Sequence, residues 1–84
     1  MRKHALLKIA EVEYRVLWDH TMSGWGIHRN ASPTQIAARR KLRSAIDYAI
    51  RDAKAELQAS GAIIAVTCFQ GRKLENVWLS SRES

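Results

Sequence analysis

The chain has 84 residues, 46% of them apolar and 26% charged, which fits one globular domain and excludes disordered, collagen-like and low-complexity classes. Fourteen Lys and Arg oppose eight Asp and Glu, a formal charge of +6. A polyanionic partner is the first expectation from that balance, and a soluble basic surface without a dedicated partner is the plain alternative.

The N-terminus begins Met1-Arg2-Lys3, as a signal peptide would. The run from Ala5 to Ala10 is broken by Lys8 and followed by Glu11 and Glu13, too short and too charged for a signal-peptide core. No stretch approaches the ~18 apolar residues of a membrane span. Residues 1–10 read as a loose segment of one domain, 1–84. From residue 12 the pattern alternates. Val12, Tyr14, Val16 and Trp18 fall at period two, which predicts a half-buried strand. Thr21 to Gly24 is a turn, and Trp25 to Arg29 is a second strand. With the turn at 21–24, His20 faces Trp25 and Trp18 faces Ile27. Tyr14, Val16, Trp18, Trp25 and Ile27 then form one core face.

Ser32-Pro33-Thr34-Gln35 combines an N-cap serine, a proline at the first helical position and a capping-box glutamine. No further Pro or Gly occurs before Gly61, which reads as a helix stop. Leu42, Ala45, Ile46, Ala49, Ala53 and Leu57 recur at spacings of three and four, an apolar stripe. The predicted helix is roughly 27 residues and about 40 Å long, against strands of about 20–25 Å. Either it overhangs the sheet or its first turns, residues 33–41, are not helical.

Residues 62–69 form a strand, Gln70 to Lys73 a turn, Leu74 to Ser80 a last strand, and residues 81–84 a frayed tail. The predicted fold is α+β, in the order β-β-α-β-β: a four-stranded antiparallel sheet with one long helix packed on one face. The last hairpin has apolar residues on both faces. Ile64, Val66, Val77 and Leu79 share one. Ile63, Phe69, Leu74 and Trp78 share the other, which a single helix leaves uncovered. An uncovered apolar face predicts self-association or a protein partner. A fold-back of Leu6, Leu7 and Ile9, or a register shift of one residue, is the alternative.

The charge is concentrated. Residues 29–54 hold Arg29, Arg39, Arg40, Lys41, Arg43, Arg51 and Lys54 against Asp47 and Asp52, five of the six net charges. These cations are the candidate nucleic-acid contacts, neutralising phosphates along the outer helix face. The competing reading is a solvated face laced with Arg43–Asp47 and Asp47–Arg51 pairs. No recognised base-reading motif accompanies them. Trp18 and Trp25 read as core, and Trp78 as at least partly exposed. Cys68 is the one cysteine. It excludes an intramolecular disulfide and a Cys-based zinc site, suits a reducing cytoplasm, and reads as a buried inert thiol. His4, His20 and His28 are too scattered for a ligand set. His20 and His28 could meet across the hairpin. Either, with Arg29 steadying a phosphate, would suit a ribonuclease-like general base, but no second acid accompanies them. No catalytic residue, metal or cofactor is assigned.

The order Gly24, Trp25, Gly26, Ile27, His28, then Ala45, Ile46, Ala49 and Ala53, then Ile63 to Val66, then Gly71 resembles the domain-of-unknown-function 2188 family of small bacterial and phage domains. The likeness spans residues 24–79. It implies a compact α+β module in a phage or mobile-element setting, with no established activity and no catalytic residues to carry over. Two features depart from that family: its members tend to be extended before the helix, where residues 33–41 here read as helix, and the N-terminal strand here is unusually long.

Together these readings predict a cytoplasmic, non-enzymatic binding module that contacts the nucleic-acid backbone without sequence specificity. The alternative is a homodimeric phage accessory protein that binds and inhibits a host protein, as anti-CRISPR proteins do, through Ile63, Phe69, Leu74 and Trp78.

Overall fold

The alternating run at the start of the chain forms β1 (Val12–Asp19), and the turn after it leads into β2 (Gly24–Arg29). The computed structural model describes residues 10–80. The expected fold-back of Leu6, Leu7 and Ile9 and the tail at 81–84 lie outside the described residues. β1 and β2 pair antiparallel with Trp18 opposite Trp25 and Val16 opposite Ile27. That register is two residues from the predicted one. An even shift keeps every side chain on its face, so the predicted face survives, although Trp18, at the end of β1, is 42% exposed and not core.

The main correction comes after β2. Residues 35–39 are a strand, β3 (Gln35–Arg39), paired antiparallel with β2, and not the start of a helix. Ser32 Oγ accepts from the Thr34 backbone N–H at 3.2 Å, so the serine closes a turn into β3 and caps no helix. The Gln35 side chain reaches across Gly26 to donate to Asp19 Oδ2 at 2.8 Å. The helix, α1 (Leu42–Ser60), is 19 residues long, about 28 Å. Of the two ways to fit it to the sheet, the second holds: the first predicted turns are not helical. It ends at Gly61, whose φ of 72° lets its N–H return to the Leu57 carbonyl at 2.7 Å. Two strands complete the chain, β4 (Ile64–Gln70) and β5 (Lys73–Leu79).

The four-stranded antiparallel sheet is therefore corrected to a mixed five-stranded sheet, in the order β3-β2-β1-β4-β5, with one helix. β1 and β4 are neighbours and parallel, while the other neighbours are antiparallel. The direction of β4 is set by the number of reversals. With β3 present, the chain reaches α1 running the same way as β1, the helix returns it, and β4 re-enters parallel to β1. Without β3, the same helix would deliver β4 in the opposite direction.

One face of this sheet packs on α1. The core contains Val12, Tyr14 and Val16 of β1, Ile27 of β2, Ile64, Val66 and Cys68 of β4, and Ala45, Ala49 and Ala53 of α1. The three alanines are wholly buried, and their small side chains let the helix backbone approach the sheet. Leu42, Ile46 and Leu57 pack beside them, half-buried. Val16, Ile27, Ile64 and Val66 are completely buried, each contributing about 1.5–3 kcal/mol relative to exposure.

The other face differs from the expected apolar patch. β5 carries one extra residue, Val77, because Asn76 pairs with Thr67 but Trp78 pairs with Val66. A one-residue bulge exchanges the faces of the residues beyond it. Trp78 therefore turns to the helix side and packs on the core, while Leu79, opposite Ala65, turns away. Phe69 and Leu74 pair on the face away from α1, and Ile63 lies just before β4. The four residues expected on one face do not share it. Ala65, Thr67 and Leu79 are buried on that face. Arg15 grips Glu13 across it, and the Thr67 hydroxyl donates to Glu13 Oε2 at 2.8 Å.

Candidate nucleic-acid interface

The buried stripe of α1 dictates which residues it exposes. With Ala45, Ala49 and Ala53 inward, Arg43, Asp47, Arg51 and Lys54 fall on the opposite side, all exposed. The ion pairs expected among them do not form. Among the described residues the ion pairs are Arg15–Glu13 and Arg29–Glu56. Arg43, Arg51 and Lys54 are thus left to solvent, as are Arg40 and Lys41 in the connection between β3 and α1.

Two of the seven predicted contacts are partly or wholly engaged by the fold. Arg29 Nε donates to Glu56 Oε1 at 3.1 Å and its Nη2 to Glu56 Oε2, while the Tyr14 hydroxyl donates to Glu56 Oε1 at 2.6 Å. This triad ties the end of α1 to β1 and β2. Hydrogen bonds from Arg29, then from Tyr14, hold the Glu56 carboxyl below its ordinary value. Burial, then the bond to Glu56, pushes the Tyr14 phenol up to about 12. Arg29 is therefore a structural cation, at the opposite end of the sheet from Arg39, Arg40, Lys41 and Arg43. Arg39 stays exposed but lies 4.7 Å from the centre of the Tyr48 ring, a cation–π contact that fixes it beside the start of α1.

The histidines do not meet. His28 pairs with Arg15 and its Nδ1 lies 2.8 Å from the Ser32 carbonyl oxygen, whereas His20 sits in the turn beyond the Asp19–Gly24 pair. The four residue steps from Gly24 to His28 set them about 13 Å apart along β2, so the general-base pairing with Arg29 has no geometric basis at His20. Cys68 is buried in the core, and burial raises its thiol above the usual range.

The tertiary structure adds residues that spacing did not reveal. Because β1 and β4 run parallel, the turn after β1 and the turn after β4 emerge at the same end of the sheet as the start of α1. A depression of about 570 Å³ lies there, lined by Leu17, Trp18, His20, Trp25, Phe69 and Gly71. Trp18 stands edge-on to Trp25, with ring centres 5.3 Å apart, and its indole N–H donates to His20 Nδ1 at 3.3 Å. A smaller depression of about 160 Å³, lined by Met22, Gly24, Ala38, Arg39 and Arg40, adjoins it along β2. Arg72 and Lys73, read from sequence only as turn residues, are exposed at this same end.

No helix among the described residues is long and apolar enough to cross a membrane. No family model, no curated protein and no solved structure matches the chain.

Proposed function

We propose that the protein is a small non-enzymatic module that binds the phosphate backbone of nucleic acid without sequence specificity. The contacts are Arg39, Arg40, Lys41, Arg43, Arg51 and Lys54. The observation that carries this reading is that Arg40, Lys41, Arg43, Arg51 and Lys54 are exposed and take no acidic partner among the described residues. Cations held in ion pairs would have to break them to meet a phosphate, and these do not. Phosphate contacts carry no base information, so the binding is indifferent to sequence. Arg29 is not part of the surface, since Glu56 holds it.

One further observation supports the setting. The lone, buried Cys68 suits a reducing cytoplasm. The protein-partner alternative loses its defined surface, because Trp78 faces the helix side and Phe69 and Leu74 do not.

The test is fluorescence anisotropy of a labelled DNA duplex across a salt series. Six phosphate contacts predict a slope of log K against log salt of about −5. The double variant Arg40→Glu, Arg43→Glu should flatten that slope by about 2. A wild-type protein that does not bind at low salt, or a slope unchanged by the double variant, would overturn the reading.

A further inference from the structure

The end of the sheet that gathers the β1–β2 turn, the β4–β5 turn and the start of α1 is chemically distinct from the rest of the surface. Within residues 18–25, 39–43 and 69–73 the cations are Arg39, Arg40, Lys41, Arg43, Arg72 and Lys73, all exposed. The one acid there is Asp19, whose oxygens accept from the Thr21 hydroxyl, the Thr21 backbone N–H and Gln35. At the centre of this cationic rim sits the aromatic depression of Trp18, Trp25, His20 and Phe69.

The order of the strands makes it continuous. Arg39 pairs with Trp25 and Trp25 with Trp18. The β1–β4 pairing ends at Val16 and Cys68, and across that seam Gln70, at the end of β4, pairs with Lys73. A cation and two indoles thus line this edge on β3, β2 and β1, and an amide and a cation line it on β4 and β5. β1 and β4 leave this edge in opposite directions, β1 toward β2 and β4 toward β5. That divergence opens the crevice between them, as at the switch point of larger parallel sheets.

Trp18 itself is the informative residue. An indole 42% exposed adds little to the core, yet it is held in one orientation by the Trp25 ring and by His20. A fixed, exposed aromatic face flanked by exposed cations complements a base with a phosphate on either side. Bases paired within a duplex present edges, not faces, whereas a single strand presents faces that stack on aromatic side chains.

We propose that this end of the sheet is a binding site for single-stranded nucleic acid, in which a base stacks on Trp18 within the Trp25–His20–Phe69 depression and the flanking phosphates meet Arg39, Arg40 and Arg43 on one side and Arg72 and Lys73 on the other. The inference rests on the backbone-binding reading above and adds to it the form of nucleic acid and the residue that selects it.

The test compares a labelled single-stranded thymidine dodecamer with a DNA duplex of the same length. The wild-type protein should bind the single strand about ten-fold more tightly than the duplex, with quenching of tryptophan fluorescence. Trp18→Ala should weaken single-strand binding about ten-fold while leaving duplex binding and its salt slope unchanged, and Trp18→Phe, which retains a stacking ring, should recover most of the loss. Circular dichroism of both variants confirms folding, which the exposure of Trp18 favours. Equal affinity for the two forms in the wild type, or an equal effect of Trp18→Ala on both, would overturn the stacking site and leave the backbone reading standing. Binding to neither form at low salt would overturn both.

Discussion

Replacing Glu56 by alanine should lower the stability of the fold by about 2 kcal/mol, because one carboxylate joins three elements. Its oxygens accept from Tyr14 of β1 and from two nitrogens of Arg29 of β2, while its own backbone belongs to α1. The two partners do not count equally. Tyr14 is 3% exposed, so its hydroxyl, stripped of Glu56, becomes a buried donor without a partner; such losses cost about 1–3 kcal/mol. The Arg29 side chain is 42% exposed, so solvent screens its pair, which contributes about 0.5 kcal/mol. For a domain of this size the total corresponds to a drop of roughly 8–16 °C in melting temperature. Thermal denaturation followed by circular dichroism measures it directly.

The acid dependence supplies an independent check with a definite sign. Arg29 and Tyr14 depress the folded-state value of Glu56. A depressed carboxylate stabilises the fold fully above its unfolded value, about 4.3, and that contribution is lost as pH falls through the lower folded value. The gap between wild type and Glu56→Ala should be complete at neutral pH and close in acid. A melting temperature unchanged at neutral pH, or a gap that persists undiminished in strong acid, would refute the assignment of Glu56 as the tie between helix and sheet.

Two further predictions concern the same packing. Ala49→Leu places a branched side chain where the helix meets the sheet with no exposed surface; overpacking should cost about 1–3 kcal/mol, read as a lower urea midpoint with an unchanged slope. The Tyr14 phenol, raised to about 12, supplies stability that is complete below its unfolded value of about 10 and disappears as pH rises through the folded one. The stability gap between wild type and Tyr14→Phe should therefore narrow across that alkaline window, and a gap constant through it would contradict the buried bond to Glu56.

Local patterns read well where one physical rule acted alone. The alternation of Val12, Tyr14 and Val16 made β1 legible, and the spacing of Ala45, Ala49 and Ala53 gave the buried stripe of α1 together with the cations it excludes. Gly61 marked the helix end because a left-handed residue there closes the last turn. Residues 33–41 failed because two rules competed. Ser32, Pro33 and Gln35 carry helix-start chemistry, and Gln35 to Arg39 contains good helix formers, yet the open edge of β2 offered backbone partners that outweighed propensity. Trp78 failed for a different reason. Its face depended on the bulge at Val77, and no residue pattern announces an extra residue in a strand.

The sequence by itself determined the first hairpin's inner face, the helix stripe, the buried thiol and the concentration of positive charge between residues 29 and 54. Each of these depends on neighbours a few positions apart, within reach of a period of two or of 3.6. Only the tertiary structure decided that β4 runs parallel to β1, since that direction depends on the number of reversals before it, and one strand more or less inverts it. The gathering of Trp18, His20, Phe69, Arg39, Arg43, Arg72 and Lys73 at a single end of the sheet is a consequence of that direction. Residues so far apart in the chain are brought together by strand pairing across the whole sheet, and no local spacing encodes it.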